Sequence, residues 1–444
     1  MKTGFHRVCI TPPLGIRIVG YYETRFTKGV LDDIYASAVS FDDGERRALI
    51  LEVEVCELST AQATKARMMI SERTGVDPKA IFINCSHTHT GPAVERDLDG
   101  TNCSTEYDQF FYQSLVKASE GAIADMCESE MSIGGGVAEG ISFVRRYRMK
   151  SGNVQTNPGV GNPEILHSLG TPDPTVKFLK IERKDGKNIV IVNYGTHSDT
   201  VGGEMISGDW PGFVTKTVEK VFDNTSCIFL TGSQGDVNHI NPFPTPGHRR
   251  GLDYNTFDGV PRGYEHAKHM GRKVAAAVIA EFDKAEPINA DRIAYGEKPI
   301  TLPSNRENHR LDEARRITEL HESGRDAELP YEKMELTTAV AEAKRICKLE
   351  NGPDSFDYVL GALRIGDFVL AGLPGECFVE IGRQIKSGYG EDAIFVCCLT
   401  NGGDTYFPTS SAYDEGGYEA RSSVLKKGGD KILIDGMLSL LGEI

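Results

Sequence analysis

Short apolar runs that end in glycine and polar residues recur along this chain, separated by stretches of helical periodicity. That alternation restricts it to a layered α/β architecture. Residues 48–55 read as a strand, followed by a helix that opens at Ser59-Thr60 with a hydroxyl cap and leaves at Gly75. Ala80-Ile81-Phe82-Ile83 is the next strand, and 106–127 the next helix. Residues 176–182 and 188–194 flank the polar turn 183–187, a hairpin signal. A helix is expected from Asp209-Trp210-Pro211, with Asp209 as cap and Pro211 in the first turn. Residues 227–230, 358–360 and 368–371 read as further strands, and helices are expected from Glu376 to about Lys386 and over 431–441. Hairpins mixed with helical crossovers imply mixed β-sheets flanked by helices. The charged stretch 307–348, broken near Ser323-Gly324 and Pro330, is expected as two exposed helices inserted into a single domain spanning 1–444. Residues 242–262, rich in Pro, Gly and Asp, read as a long surface loop.

Composition narrows the function. The formal net charge is -15, with 64 acidic and 49 basic side chains and no lysine- or arginine-rich run, which excludes nucleic acid and anionic membrane surfaces as partners. No stretch of eighteen apolar residues and no signal-like apolar region occurs, so no membrane span is expected. Ten cysteines lack metal-knuckle spacing, and several sit in apolar strands; a reducing, cytoplasmic setting is expected.

The chemistry concentrates where strands end. His87 and His89 lie one residue apart just beyond an apolar strand, before Gly91-Pro92 turns the chain away. In an extended segment they would share a face. His197 follows the strand 188–194, Glu376 follows 368–371, and Tyr406 follows the glycine turn after Leu399. Gly232-Ser233-Gln234-Gly235 bends the backbone ahead of Asn238 and His239. Strand ends in a layered α/β fold gather at one edge, where sites are built. Two histidines, a carboxylate and a phenolate or water suit Zn2+. His239 is expected as an exposed loop histidine, and Asp199 and Asp209 as capping or supporting carboxylates.

The strings SHTHTGP (86–92), THSDTVGGE (196–204), SGDWPG (207–212), GSQGDVN (232–238), GLPGE (372–376) and NGGDTYFPT (401–409) follow in one order. Together they resemble the catalytic domain of the neutral/alkaline (non-lysosomal) ceramidase family, over nearly the whole chain. Members are zinc amidases that cleave the amide between a fatty acid and sphingosine. The resemblance implies metal ligands at His87, His197, Glu376 and Tyr406, and a proton-transfer residue at His89. It implies an active-site arginine at Arg145, with Arg146 a close competitor, and a second active-site tyrosine at Tyr418.

One position departs from the pattern: Asn238 stands where the family carries a serine with an assigned catalytic role. Asparagine is no hydroxyl nucleophile, so an acyl-serine route is excluded here, although its amide can donate to an oxyanion. Ceramidases also carry a leader and a further C-terminal β-domain, and neither is expected here. The expected activity is therefore hydrolysis of an amide in a small, non-sphingolipid substrate with an acyl linkage, by metal-activated water. A zinc esterase or lactonase, and a metal-containing binding protein without hydrolysis, are the alternatives.

Overall fold

The structure is a computed structural model that describes residues 1–95, 105–243, 262–390 and 393–444. The longest sheet is built from β1 (Lys2–Cys9), β2 (Tyr35–Asp42), β3 (Arg47–Val53), β4 (Ile81–Cys85), β5 (Cys127–Val137), β6 (Thr175–Arg183), β7 (Asn188–Tyr194) and β8 (Thr225–Thr231). Their order is β8-β7-β6-β5-β1-β2-β3-β4, with Glu286–Pro287 adding to β5. The pairs β3–β4 and β7–β8 are parallel, and the other neighbours on this path are antiparallel. A second sheet runs β9 (Ile293–Pro303), β10 (Ser355–Ile365), β11 (Phe368–Gly372), β12 (Ile394–Cys397), in that order. The fold class is thus mixed sheets with flanking helices, as the sequence implies.

Asn84 brings three strand ends together. Its Oδ1 accepts from the Thr231 N–H at 2.8 Å, and its Nδ2 donates to the Cys398 carbonyl at 2.6 Å. The Cys398 N–H in turn donates to the Thr231 carbonyl. The first sheet therefore curls until β4 and β8, the two ends of its path, meet beside β12. One apolar core spans both sheets, with Leu49, Leu51 and Ile83 joined to Leu370 and Phe395. A second core, around Trp210, Phe229, Met270 and Val274, lies on the other face of β6–β8.

The helices α1 (Thr60–Thr74), α2 (Thr105–Ala124), α3 (Asp209–Val221), α4 (Tyr264–Glu281), α5 (Leu311–Glu322), α6 (Lys333–Leu349) and α7 (Val379–Tyr389) flank these layers. Local signals act as expected in α1, where Ser59 and Gln62 form a capping box and Gly75 closes the end in the left-handed region. Others are overridden. Asp209 does not cap α3: Gly208 holds that place, while Asp209, at φ 54°, accepts from the Trp210 and Val201 N–H groups. The helix expected from Glu376 begins at Val379, whose N–H donates to Asp236 instead. The α5–α6 pair links β9 to β10 and is not wholly exposed. Ala314, Ile317, Val340 and Ile346 form a small core of its own, and Glu342 accepts from Arg421 and Arg310. Of the loop expected at 242–262, residues 244–261 lie outside the described residues.

Where the curled sheet closes, it buries charge. Arg7 donates to Ser37, to Glu219 and to the Cys227 carbonyl, beside the fully buried Glu52 and Glu54. Burial, then the charge of Glu54, pushes the Glu52 carboxyl well above the usual range, and Glu52 Oε1 has no hydrogen-bond partner. A group whose pKa is raised by folding contributes stability below its unfolded value of about 4.3, and that stability drains away as pH rises. Glu52→Gln, which stays neutral, should therefore be more stable than the wild type at pH 8, by on the order of 1–3 kcal/mol. The gap should close near pH 5, read by urea denaturation at both values.

Candidate metal centre

The site lies just beyond the strand ends that Asn84 ties together. After β4 the chain leaves extended geometry: His87 has φ 65°, and its N–H donates to the Val55 carbonyl. The two histidines therefore converge through a pinned loop and not by sharing a strand face, with the His89 N–H held by the Ser198 carbonyl. His197 follows β7, its N–H bonded to the Val237 carbonyl. Glu376 sits on a two-residue strand that pairs in parallel with Tyr406-Phe407, so Glu376 and Tyr406 are register partners. That ladder, not the dipole of α7, is what places Glu376.

Each imidazole is oriented by the nitrogen that faces away. His87 Nδ1 lies 2.9 Å from the Cys56 carbonyl, and His197 Nδ1 lies 2.9 Å from that of Gln234. A carbonyl only accepts, so both Nδ1 atoms carry a proton and both Nε2 atoms face inward. Glu376 Oε2 is 3.3 Å from His87 Nε2 and 3.1 Å from His197 Nε2, and it also accepts from Gln234 Nε2 at 3.2 Å. The three donor groups lie within 4.8 Å of one another and are buried. Bonds of about 2.0–2.1 Å at a tetrahedral angle put neighbouring ligand atoms about 3.3 Å apart. The two separations from Glu376 fit that requirement.

Electrostatics sharpen the arrangement. Burial alone would raise the Glu376 carboxyl, but His87 and His197 outweigh it and hold it well below the usual range. Burial would lower the His87 imidazole, but Glu376 and Cys56 lift it well above normal. Burial, followed by Arg145, lowers His197. His89 is 8 % exposed; burial, then His87, pushes it well below its ordinary value, so it stays neutral. Its Nε2 is 3.2 Å from His87 Nε2, and its Nδ1 has no hydrogen-bond partner.

Arg145 reaches the cluster and Arg146 does not. Arg145 Nη1 is 3.1 Å from His197 Nε2, Nη2 donates to the Gly235 carbonyl, and Nε donates to Glu419 at 2.6 Å. Arg146 instead donates to Glu415 and the Gly416 carbonyl. The Tyr406 hydroxyl is 3.4 Å from His197 Nε2, and the Tyr418 ring meets that of Tyr406 edge-on at 5.6 Å. Asn238 is placed otherwise. Fully buried, it donates one amide hydrogen to Asn157, accepts from the Ile240 N–H and pairs with Phe143, so its carbonyl oxygen braces the turn. His239 is buried, not exposed, and ion-paired with Asp199 at 2.9 Å.

Among solved structures, the whole chain superposes on a neutral ceramidase from Pseudomonas aeruginosa with a TM-score of 0.72 at 15% identity, covering 75% of that chain. The fold is that of a neutral ceramidase. A ceramidase complexed with C2 gives a TM-score of 0.70 at 14% identity, again with 100% of this chain and 75% of that one covered. No protein-family profile matches, and no curated protein does. No helix among the described residues is long and apolar enough to cross a membrane.

On this neutral ceramidase fold, three contributors went unread in the sequence: Glu419 beneath Arg145, Gln234 on Glu376, and the hairpin that carries Tyr21 and Tyr22 over His89. No spacing marks them, because each acts across a long separation. The tyrosine pair, flanked by Gly20 and Arg25, was the visible signal.

Proposed function

We propose that this chain is a zinc-dependent hydrolase that cleaves the amide bond of a small N-acyl compound. The observation that carries the reading is the convergence of two imidazole Nε2 atoms on one Glu376 oxygen, each ring locked by a backbone carbonyl. Ceramidase neighbours supply the amide. His87, His197 and Glu376 would hold the ion, with Tyr406 as a fourth donor. Zinc supplies a Lewis acid that polarises a carbonyl and lowers the pKa of water to about 7.

The side chains divide the remaining work. Arg145 Nη1 spends its N–H on His197 Nε2; once that lone pair is taken by a ligand bond, the guanidinium is left to meet a carbonyl oxygen gaining charge. Neutral His89 takes a proton of the attacking water at Nε2 and returns it to the departing amine. Tyr418 donates to the same oxygen from the outer wall, and Asn238 keeps the turn behind His197 in place. We read the chain as one domain with α5–α6 as an insertion. Nine described cysteines are free thiols, six of them buried, which suits the cytoplasm.

Zinc-loaded protein should hydrolyse N-acyl anilides in preference to the matching O-acyl esters of equal leaving-group reactivity. Absence of both activities in a chain that holds one zinc would overturn the reading. His89→Ala should lower kcat by about 10²–10⁴-fold and leave zinc content unchanged. An unaltered kcat would remove His89 from proton transfer.

A further inference from the structure

We propose that Tyr22 bars the mouth of this site and limits it to short acyl groups, an inference that rests on the hydrolase reading above. The bar starts from a hairpin, Arg17–Ile18 against Arg25–Phe26, whose loop lies on the histidines. Gly20, at φ 109°, backs directly onto His89: a Cβ there would sit 2.7–2.8 Å from its Cγ, Cα and Cβ. Only glycine allows both that conformation and that approach. Tyr21 then meets the His89 ring edge-on at 5.1 Å, and its hydroxyl donates to the Asp199 carbonyl. Arg25 lies 4.4 Å from the Tyr21 ring centroid and donates to the carbonyls of Val19, His89 and Gly203. The loop is therefore clamped at its base.

Tyr22, the next residue out, is 41% exposed and has no such clamp among its contacts. It reaches the opposite wall, where its hydroxyl lies 3.0 Å from that of Tyr418, 396 positions away. The rings meet edge-on at 6.5 Å; Tyr418 meets Tyr406 at 5.6 Å, and Tyr406 stacks along His197 at 6.4 Å. An aromatic row thus runs from the surface to the metal-ligand candidates. A molecule approaching along it must part Tyr22 from Tyr418 or be small enough to pass beside them. Tyr22 touches none of His87, His197 or Glu376; it meets the site through the Tyr418 hydroxyl, so the test reads the ratio between acyl lengths and not the basal rate.

The test compares wild type, Tyr22→Phe and Tyr22→Ala, each confirmed folded by its melting curve. Zinc-loaded proteins are assayed on N-acyl p-nitroanilides from acetyl to lauroyl. Tyr22→Ala should raise the lauroyl-to-acetyl ratio of kcat/KM by about tenfold or more, mainly through KM. Tyr22→Phe, which keeps the ring, should move it by less than about threefold. An unchanged ratio in Tyr22→Ala would overturn the proposal. A second arm needs neither metal nor turnover: carbethoxylation of His89 in metal-free protein, mapped by mass spectrometry, should be several-fold faster in Tyr22→Ala. An equal rate would overturn the bar. If no anilide is cleaved by any form, the hydrolase reading fails, and with it the acyl selectivity, while the labelling arm still decides whether the mouth is closed.

Discussion

Glu376→Ala will purify as a folded chain that holds no stoichiometric zinc. Glu376 touches both inward-facing imidazoles, and it takes the Gln234 amide as well. Without it, His87 and His197 remain oriented by their backbone carbonyls but lack the charge that offsets a divalent cation. The loss in metal affinity should exceed the roughly 10–100-fold that follows removal of an outer supporting contact. On the zinc reading proposed above, zinc added to the wild type should raise its melting temperature by mass action and leave that of Glu376→Ala where it was. Metal analysis and the two melting curves check this together. A variant that keeps one zinc per chain would place the ion elsewhere.

The second large effect is on stability. Glu419 is completely buried; it accepts from Arg145 Nε at 2.6 Å and from the Thr156 hydroxyl at 3.1 Å, and it lies 3.9 Å from Arg146 Nε. Glu419→Ala leaves two buried guanidinium groups beside an empty space. Breaking a buried pair in this way costs about 3–5 kcal/mol, far above the ~0–1 kcal/mol of an exposed ion pair. Urea denaturation will show the loss. Adding Arg145→Met should recover part of it, because the stranded charge goes too. A loss below about 1 kcal/mol would mean that the pair is not what holds this wall.

How much of this was legible depends on distance along the chain. The α1 capping box, the β6–β7 hairpin and the β8 run are local, and residue order alone describes them. The site residues were legible as polar positions after apolar strands, since the parallel pairs β7–β8 and β11–β12 end on the edge where Asn84 ties β4 to β8 and β12. Their geometry was not. The left-handed turn at His87 depends on the Val55 carbonyl, and Glu376 leaves the helix it was expected to start because Tyr406 pairs with it. Asn238 is held by partners that no spacing announces, a turn N–H on its oxygen and Asn157 on one of its amide hydrogens. The strand β5 escaped notice because Gly134, Gly135 and Gly136 suppress its apolar pattern. A Cβ at Gly134 would strike the Phe178 ring of β6 and one at Gly136 the Ala277 carbonyl of α4, so both glycines answer to packing across the chain.

The triple junction at Asn84 has a consequence in time. Its partners lie 147 and 314 positions away, and contacts of such separation form only after long loops have closed. During synthesis, the two early histidines emerge long before the carboxylate that completes them. A chain arrested or clipped before β12 therefore carries His87, His197 and Glu376 without the strand that ties their elements together, and on the zinc reading proposed above metal uptake would report that β12 has docked.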